Sequence, residues 1–93
     1  MDILQNMARI IKKEAEAIQG IQVTPDFERA VRTLQACDGK VVTTGIGKAG
    51  YIARKFAATL SSTGTPSVFI HPAEAGHGDL GVLDEQDCIV AFP

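Results

Sequence analysis

Leu4, Met7, Ile11, Ala15 and Ile18 recur at three- and four-residue spacing, which predicts an amphipathic helix over about residues 2–19. Gly20 is placed to stop it. A second helix is predicted from Thr24-Pro25, a capping residue followed by the proline of a first turn. Phe27, Ala30, Val31 and Leu34 form its apolar stripe, and Asp38-Gly39 ends it. At Lys40 the period changes. Val41–Thr44 is a β-branched run that terminates at Gly45. Ala49, Ile52, Ala53, Phe56, Ala57 and Leu60 then return to helical spacing, until Ser61–Pro66 breaks the pattern. Ser67–Ile70 and Cys88–Phe92 read as two further strands, joined by a long connection over 72–87 that carries Gly76, Gly78 and Gly81.

Strand, glycine turn, helix, strand is a βαβ unit, which implies parallel strands and a right-handed crossover. The predicted class is α/β, with two leading helices and then the first part of a doubly wound, flavodoxin-like parallel sheet. Residues 1–38 form the helical segment and 39–93 an incomplete first half of the sheet domain. The pattern stops at Phe92-Pro93 with no crossover helix after the third strand, so the reading is of a truncated chain whose sheet face and strand edge need a partner.

Ninety-three residues allow one small domain, which buries only about 60–65% of its unfolded surface. Hydrophobic residues at 45% and charged residues at 22% are ordinary for a globular domain and exclude a disordered one. A net charge of −2 gives no basic excess for nucleic acid or an anionic membrane. The longest apolar run, Cys88–Phe92, is too short to span a bilayer, and the first residues lack the basic flank and apolar core of a signal peptide. Cys37 and Cys88 belong to no CxxC pair; cytoplasmic, reduced and buried is the expectation for both.

Two stretches can carry chemistry. Gly45-Ile46-Gly47-Lys48-Ala49-Gly50 fits GxGxxG between a strand and a helix, where a backbone loop can cradle a phosphate. Taken alone it is a weak fingerprint, and a plain βα turn explains it equally well. A dinucleotide site would place an acidic residue where His71 stands, and a P-loop is excluded by Val42 and Ala49. Lys48 is unusual in that turn, because a cation opposes the dipole of the helix it begins. A lysine there is explained by an anionic ligand or by charge developing in a reaction; a solvated surface lysine is the bland alternative. The second stretch, His71-Pro72-Ala73-Glu74-Ala75-Gly76-His77-Gly78-Asp79, holds both histidines just past the end of a strand, at the edge where open α/β sheets bind ligands. His71, Glu74 and His77 could form a three-ligand metal set, although the spacing matches no established motif. A backbone-bonded strand end and an exposed loop are the bland readings of the two histidines. Gly64-Thr65-Pro66 reads first as a helix stop and a turn.

In order and spacing, GIGKAG, STGTP and HPAEAGHGDLG closely resemble the sugar isomerase (SIS) domain of bacterial arabinose 5-phosphate isomerases, and the similarity extends over nearly the whole chain. The resemblance implies the SIS fold and interconversion of ribulose 5-phosphate and arabinose 5-phosphate, which supplies the Kdo precursor of lipopolysaccharide. It implies that Lys48 is catalytic, stabilising the negative charge of an enediolate. Gly64, Thr65, His71 and His77 are implied to contact substrate, and Gly45 and Gly47 to form the backbone loop. His71 is further implied to meet a zinc ion that inhibits, no cofactor being required. A cytoplasmic homo-oligomer, tetrameric in the family, is implied as well. Family members continue into a serine- and glycine-rich loop of the type SNSGES, which grips the phosphate and carries a catalytic glutamate. This sequence reads Ala91-Phe92-Pro93 instead, so turnover by this polypeptide alone is not expected. Two rival readings stand beside this one. The first is a non-catalytic sugar-phosphate-binding or interaction module; the second, resting on GxGxxG alone, is a dinucleotide-binding fragment.

Overall fold

The computed structural model describes residues 2–93; Met1, at the start of the predicted helical segment, lies outside them. Helix α1, Ile3–Gln19, opens with a capping box in which the Asp2 carboxylate accepts from Gln5 N and Gln5 Oε1 from Asp2 N. Helix α2, Pro25–Gln35, starts with its proline in the first turn, but Thr24 makes no side-chain capping bond. Its Arg29–Asp26 and Arg32–Glu28 pairs lie along the solvent face. No residue of α1 or α2 is buried.

Strand β1 is Val41–Gly45, helix α3 Lys48–Ser62, strand β2 Ser67–Phe69 and strand β3 Cys88–Phe92. All pairing is parallel and the strand order is β2-β1-β3, with Val41 opposite both Ser67 and Cys88. This is the flavodoxin-like arrangement that the pattern predicts. The C-terminal edge of the sheet therefore presents Gly45, the residues after Phe69, and Phe92 together.

The alternation of β1 divides the core between two faces. Val41 and Thr43, both fully buried, face α3, where Ala53 and Ala57 are small enough for close packing. Thr43 Oγ1 donates to Ala53 O at 2.7 Å, which satisfies the one buried polar side chain found among the described residues. Phe56 meets Phe92 edge to face, with ring centroids 5.7 Å apart. On the opposite face, Val42, Thr44, Ile70 and Ile89 border an apolar cavity of about 260 Å³ beneath the connection from β2 to β3. That connection is more ordered than the sequence indicates: it holds a one-turn helix α4, Pro72–Ala75, and a 3-10 turn, Asp79–Val82. Elements of a single turn carry no periodicity for a pattern to reveal. As expected, the third strand is not fully covered, and Ile89 remains 60% exposed.

The N-terminal edge of the sheet is fastened by charge. Asp87, its side chain only 3% exposed, accepts from Lys40 Nζ at 2.6 Å, Lys40 N at 2.9 Å and Asp84 N at 2.8 Å. Lys40 and the Asp84 amide hold the Asp87 carboxyl below its ordinary value of 3.8, and Asp87 raises the Lys40 ammonium above 10.5. Cys37 and Cys88 lie close by. Both are free thiols and half-buried, not buried as the composition implies; Cys88 lies on the edge strand β3 and Cys37 just past the end of α2. The neighbouring Cys37 side chain, followed by burial, pushes the Cys88 thiol up.

The depressed Asp87 pKa fixes the sign of a pH effect. Its stabilisation is present above the ordinary carboxylate range and is lost as pH falls through the lower folded value; the contribution of Lys40 is lost only as pH rises past its own raised value. Urea unfolding followed from about pH 7 down to about pH 2 is expected to show an acid-side loss of stability, which Asp87→Asn flattens while lowering the neutral-pH midpoint. An Asp87→Asn chain with the wild-type midpoint and acid slope would contradict this account.

Candidate functional site

The site is set by the approach of α3 to the end of β1. A Cβ on Gly50 would lie 2.7 Å from Gly45 O, and one on Gly45 would lie 2.9 Å from the Ala49 carbonyl. Both contacts are with backbone, which cannot yield as a flexible side chain can. Gly47 caps α3 with φ 61° and ψ −131°, a conformation open to glycine and strained for other residues. Three glycines thus have three separate geometric duties, and the turn brings the first residues of α3 to the C-terminal edge of the sheet.

A cleft of about 200 Å³ opens there. Its walls are Gly45, Gly47 and Gly50 of the turn, Tyr51 and Arg54 of α3, and Phe69 and His71 from the end of β2. None of these is a carboxylate. Lys48 is exposed at the rim as the first residue of α3, and no salt bridge engages it among the described residues. His71 is half-buried, its ring 6.4 Å from that of Phe69 and steeply inclined to it. Its Nδ1 accepts from Ala73 N at 3.1 Å, capping α4, so Nε2 is the nitrogen left for a ligand. The sequence places Lys48, His71, Gly45 and Gly47 on one edge; the structure puts Gly45, Gly47 and His71 on the cleft wall and Lys48 beside Gly47, exposed and outside the lining.

Other sequence candidates are not brought there. Gly64 and Thr65 follow α3 at the opposite edge of the sheet, separated from Lys48 by a 15-residue helix, a span of about 22 Å. Thr65 lies instead beside Val31, Leu34 and Leu60, and its amide bonds Leu60 O at 2.8 Å. His77 is exposed beyond α4 and does not line the cleft. The set His71, Glu74 and His77 does not converge: no group of three histidine, cysteine or acidic side chains that could hold a metal forms among the described residues. One open imidazole nitrogen falls short of the four ligands that zinc takes. Arg54 is the lining residue that the sequence analysis missed. Its position three residues after Tyr51 and four after Gly50, on the helix that starts at the turn, was the available signal.

A parallel, doubly wound α/β sheet with a polar cleft at its C-terminal edge is the class that fold and site define. Residues 34–93 match the SIS domain family, and the chain belongs to that family. It is 43% identical over 94 residues to the arabinose 5-phosphate isomerase KdsD of Pseudomonas aeruginosa, an alignment covering 99% of this chain and 29% of that protein. It is 57% identical over 65 residues to the arabinose 5-phosphate isomerase GutQ of Escherichia coli K12, covering 70% of this chain and 20% of that protein. Among solved structures, a Bacteroides fragilis protein provisionally described as a phosphosugar isomerase involved in capsule formation superposes with a TM-score of 0.92 at 45% identity, over 97% of this chain and 49% of that one. The E. coli CFT073 protein c3406, solved in complex with arabinose 5-phosphate, gives 0.83 at 42% identity, over 98% of this chain and 51% of that one. The chain thus spans less than a third of these curated relatives and about half of the structural ones.

Replacing Gly50 tests the close approach. Gly→Ala within a helix ordinarily stabilises by about 0.5–1 kcal/mol. Here the contact with Gly45 O reverses the sign, and Gly50→Ala is expected to cost about 1–3 kcal/mol in denaturant unfolding. A gain in stability would show that α3 can move away from β1 without penalty.

Proposed function

We propose that this chain is the substrate-facing SIS segment of a sugar-phosphate aldose–ketose isomerase acting between ribulose 5-phosphate and arabinose 5-phosphate, the step that supplies the Kdo precursor of lipopolysaccharide. The observation that carries this reading is that the glycine turn and His71 line one cleft at the C-terminal edge, with Lys48 exposed next to Gly47 as the first residue of α3. The relatives' names and the arabinose 5-phosphate complex of a structural neighbour support the substrate class.

Such an isomerase removes a proton beside a carbonyl and returns it to the neighbouring carbon through an enediolate. Lys48 supplies fixed positive charge at the rim where that oxyanion would form. His71 offers Nε2 to the sugar hydroxyls, and His77 contacts substrate only if its loop closes over the cleft. The turn containing Gly45 and Gly47 receives the ligand against its backbone. The reaction calls for no cofactor; zinc at His71 acts as an inhibitor and needs further donors beyond those of the cleft. Residues 1–38 serve as a helical segment apart from the sheet unit of 39–93. None of the helices is long and apolar enough to cross a membrane among the described residues, and the proposed setting is cytoplasmic.

The position of Gly64 and Thr65 bears on assembly. Standing about 22 Å from Lys48 within one chain, they reach a substrate only in the cleft of another copy. The exposed apolar stripe of α1 and α2 supports the same homo-oligomeric reading: Leu4 is 77% exposed and Ile18 68%. A second functional reading, sugar-phosphate binding without turnover, is favoured by one observation, the lack of any carboxylate base among the residues lining the cleft.

In an isomerase assay on the polypeptide that carries these residues in the cell, Lys48→Ala is expected to abolish turnover while leaving circular dichroism unchanged, since Lys48 is exposed. Turnover at the wild-type rate in that variant would sink the catalytic assignment. Binding of arabinose 5-phosphate with no turnover by the wild type would select the second reading. Sedimentation at micromolar concentration is expected to show oligomers, which Leu4→Lys together with Ile18→Lys dissociates. A monomeric wild type would remove the shared-site reading of Gly64 and Thr65.

A further inference from the structure

Cys37 and Cys88 are far apart in the sequence, and the fold brings them to one place. Cys37 stands in the short lead Cys37-Asp38-Gly39-Lys40 that carries the chain from α2 into β1. Cys88 opens β3 directly opposite Val41. Two backbone bonds lace the lead to the start of β3: Gly39 N donates to Gln86 O and Cys88 N to Lys40 O, each at 3.1 Å. The sulfurs cross this lacing in both directions. Cys37 Sγ is 3.5 Å from Gln86 O and 3.6 Å from Lys40 O, the same carbonyl that Cys88 N bonds. Cys88 Sγ reaches back to Thr33 O, at 3.9 Å, in the last turn of α2. The Cys37 side chain, ahead of burial, holds the Cys88 thiol up, as a neighbouring thiol within bonding reach does. Both residues are half-buried, which leaves them open to a small reagent.

Two thiols held on one backbone frame can close on each other with little movement of the chain. We propose that Cys37 and Cys88 are a redox dithiol that closes to an intrachain disulfide, fastening the end of α2 to β3. The reagent is a small-molecule disulfide such as oxidised glutathione. One protein thiolate attacks a sulfur of that disulfide, forming a mixed disulfide and releasing one small thiolate; the second protein thiolate then displaces the other. The two protein thiols give up two electrons and two protons, and the reagent ends as two thiols. Because the Cys88 thiol is pushed up, closure is slow, and the open form gains nothing from a stabilised Cys88 thiolate. The bridge acts on a weak joint. No residue of α2 is buried, and an apolar groove runs between Phe27, Ala30 and Leu34 of α2 and Phe56, Ile89 and Phe92 of the sheet unit. A closed bridge pins one end of that groove in the oxidised state only. The proposal is independent of the isomerase reading.

The test compares the full chain, folded and in guanidinium chloride, at fixed ratios of reduced to oxidised glutathione, with iodoacetamide quenching and intact-mass readout. The folded chain is expected to give a monomer lighter by two hydrogens, with tryptic peptide 33–40 joined to 56–93. At one glutathione ratio, the proportion of closed to open chain is expected to be about tenfold or more higher folded than unfolded, because the fold supplies the proximity. By linkage the same preference reappears as a higher urea midpoint for the closed chain. A folded chain that stops at the mixed disulfide, links to a second copy, or closes no more readily than the unfolded chain overturns the proposal. Amide hydrogen exchange reads the fastening itself. Residues 33–37 are expected to exchange more slowly in the closed wild type than in the open wild type or in Cys37→Ser treated with the same reagent; equal exchange in all three overturns it.

Discussion

Helix α3 can lie where it does only because neither Gly45 nor Gly50 carries a side chain. The helix begins almost in contact with the last carbonyl of β1, and a single methyl group at either position would meet backbone inside van der Waals distance. That approach determines which α3 residues reach the sheet: Ala53 and Ala57 beneath it, Thr43 bonded to the Ala53 carbonyl, and Phe56 against Phe92. It also brings the first two turns of α3 to the C-terminal edge, so Arg54 lines the same cleft as His71 and Lys48 stands exposed beside Gly47. Packing and site are therefore one arrangement viewed from two ends, and whatever loosens the glycine contact displaces both cations.

The two edges of the sheet have separate tasks. At the N-terminal edge, Lys40 and Asp87 share a well-bonded carboxylate that ties the start of β1 to the approach of β3. The oppositely charged partners there satisfy one another. At the C-terminal edge the polar groups are left incomplete: one lysine without a salt bridge, one arginine on an aromatic ring, and one imidazole nitrogen open. Unsatisfied charge costs little where water reaches it and becomes useful when an anion displaces that water. The division agrees with the general behaviour of open parallel sheets, whose ligands bind beyond the carboxyl ends of the strands.

Much of this was legible in the sequence, for reasons that differ by element. The β-branched run Val41–Thr44 and the α3 stripe of small and apolar residues are strong signals because each element buries a face against the other. GIGKAG was legible as a turn, and its context between strand and helix located the cleft. The short elements of the β2–β3 connection were not legible, since α4 is held by Pro72 and by the His71 cap rather than by a repeating apolar face. Thr24 has the residue type of a side-chain cap but makes no capping bond, because Pro25 in the first turn leaves one fewer amide needing an acceptor. Arg54 was missed because a search for apolar stripes discounts the polar positions on a helix's flank. The edge on which Gly64 and Thr65 lie was available from topology alone: a crossover helix that starts at one edge of a sheet must finish at the other.

The leading helices raise an energetic question that the sheet cannot answer by itself. Helix α1 has 17 residues, a length at which an isolated helix is marginal in water, and its capping box contributes only about 1 kcal/mol. Ile3, Leu4, Ile11 and Ile18 are each at least 66% exposed, so the hydrophobic gain that normally supports an amphipathic helix is not realised within the chain. The pattern on α1 is regular enough to require a complementary apolar surface, and the exposed faces of β3 and α2 offer the same kind of surface in any second copy. The proposed substrate contacts of Gly64 and Thr65 point the same way, since their distance from Lys48 is fixed by the length of a 15-residue helix. In the homo-oligomer proposed above, the apposition of copies would cover the exposed apolar area and bring the proposed ligand contacts together. In such an arrangement the stability of the leading helices and the completion of the cleft become coupled through the same interface.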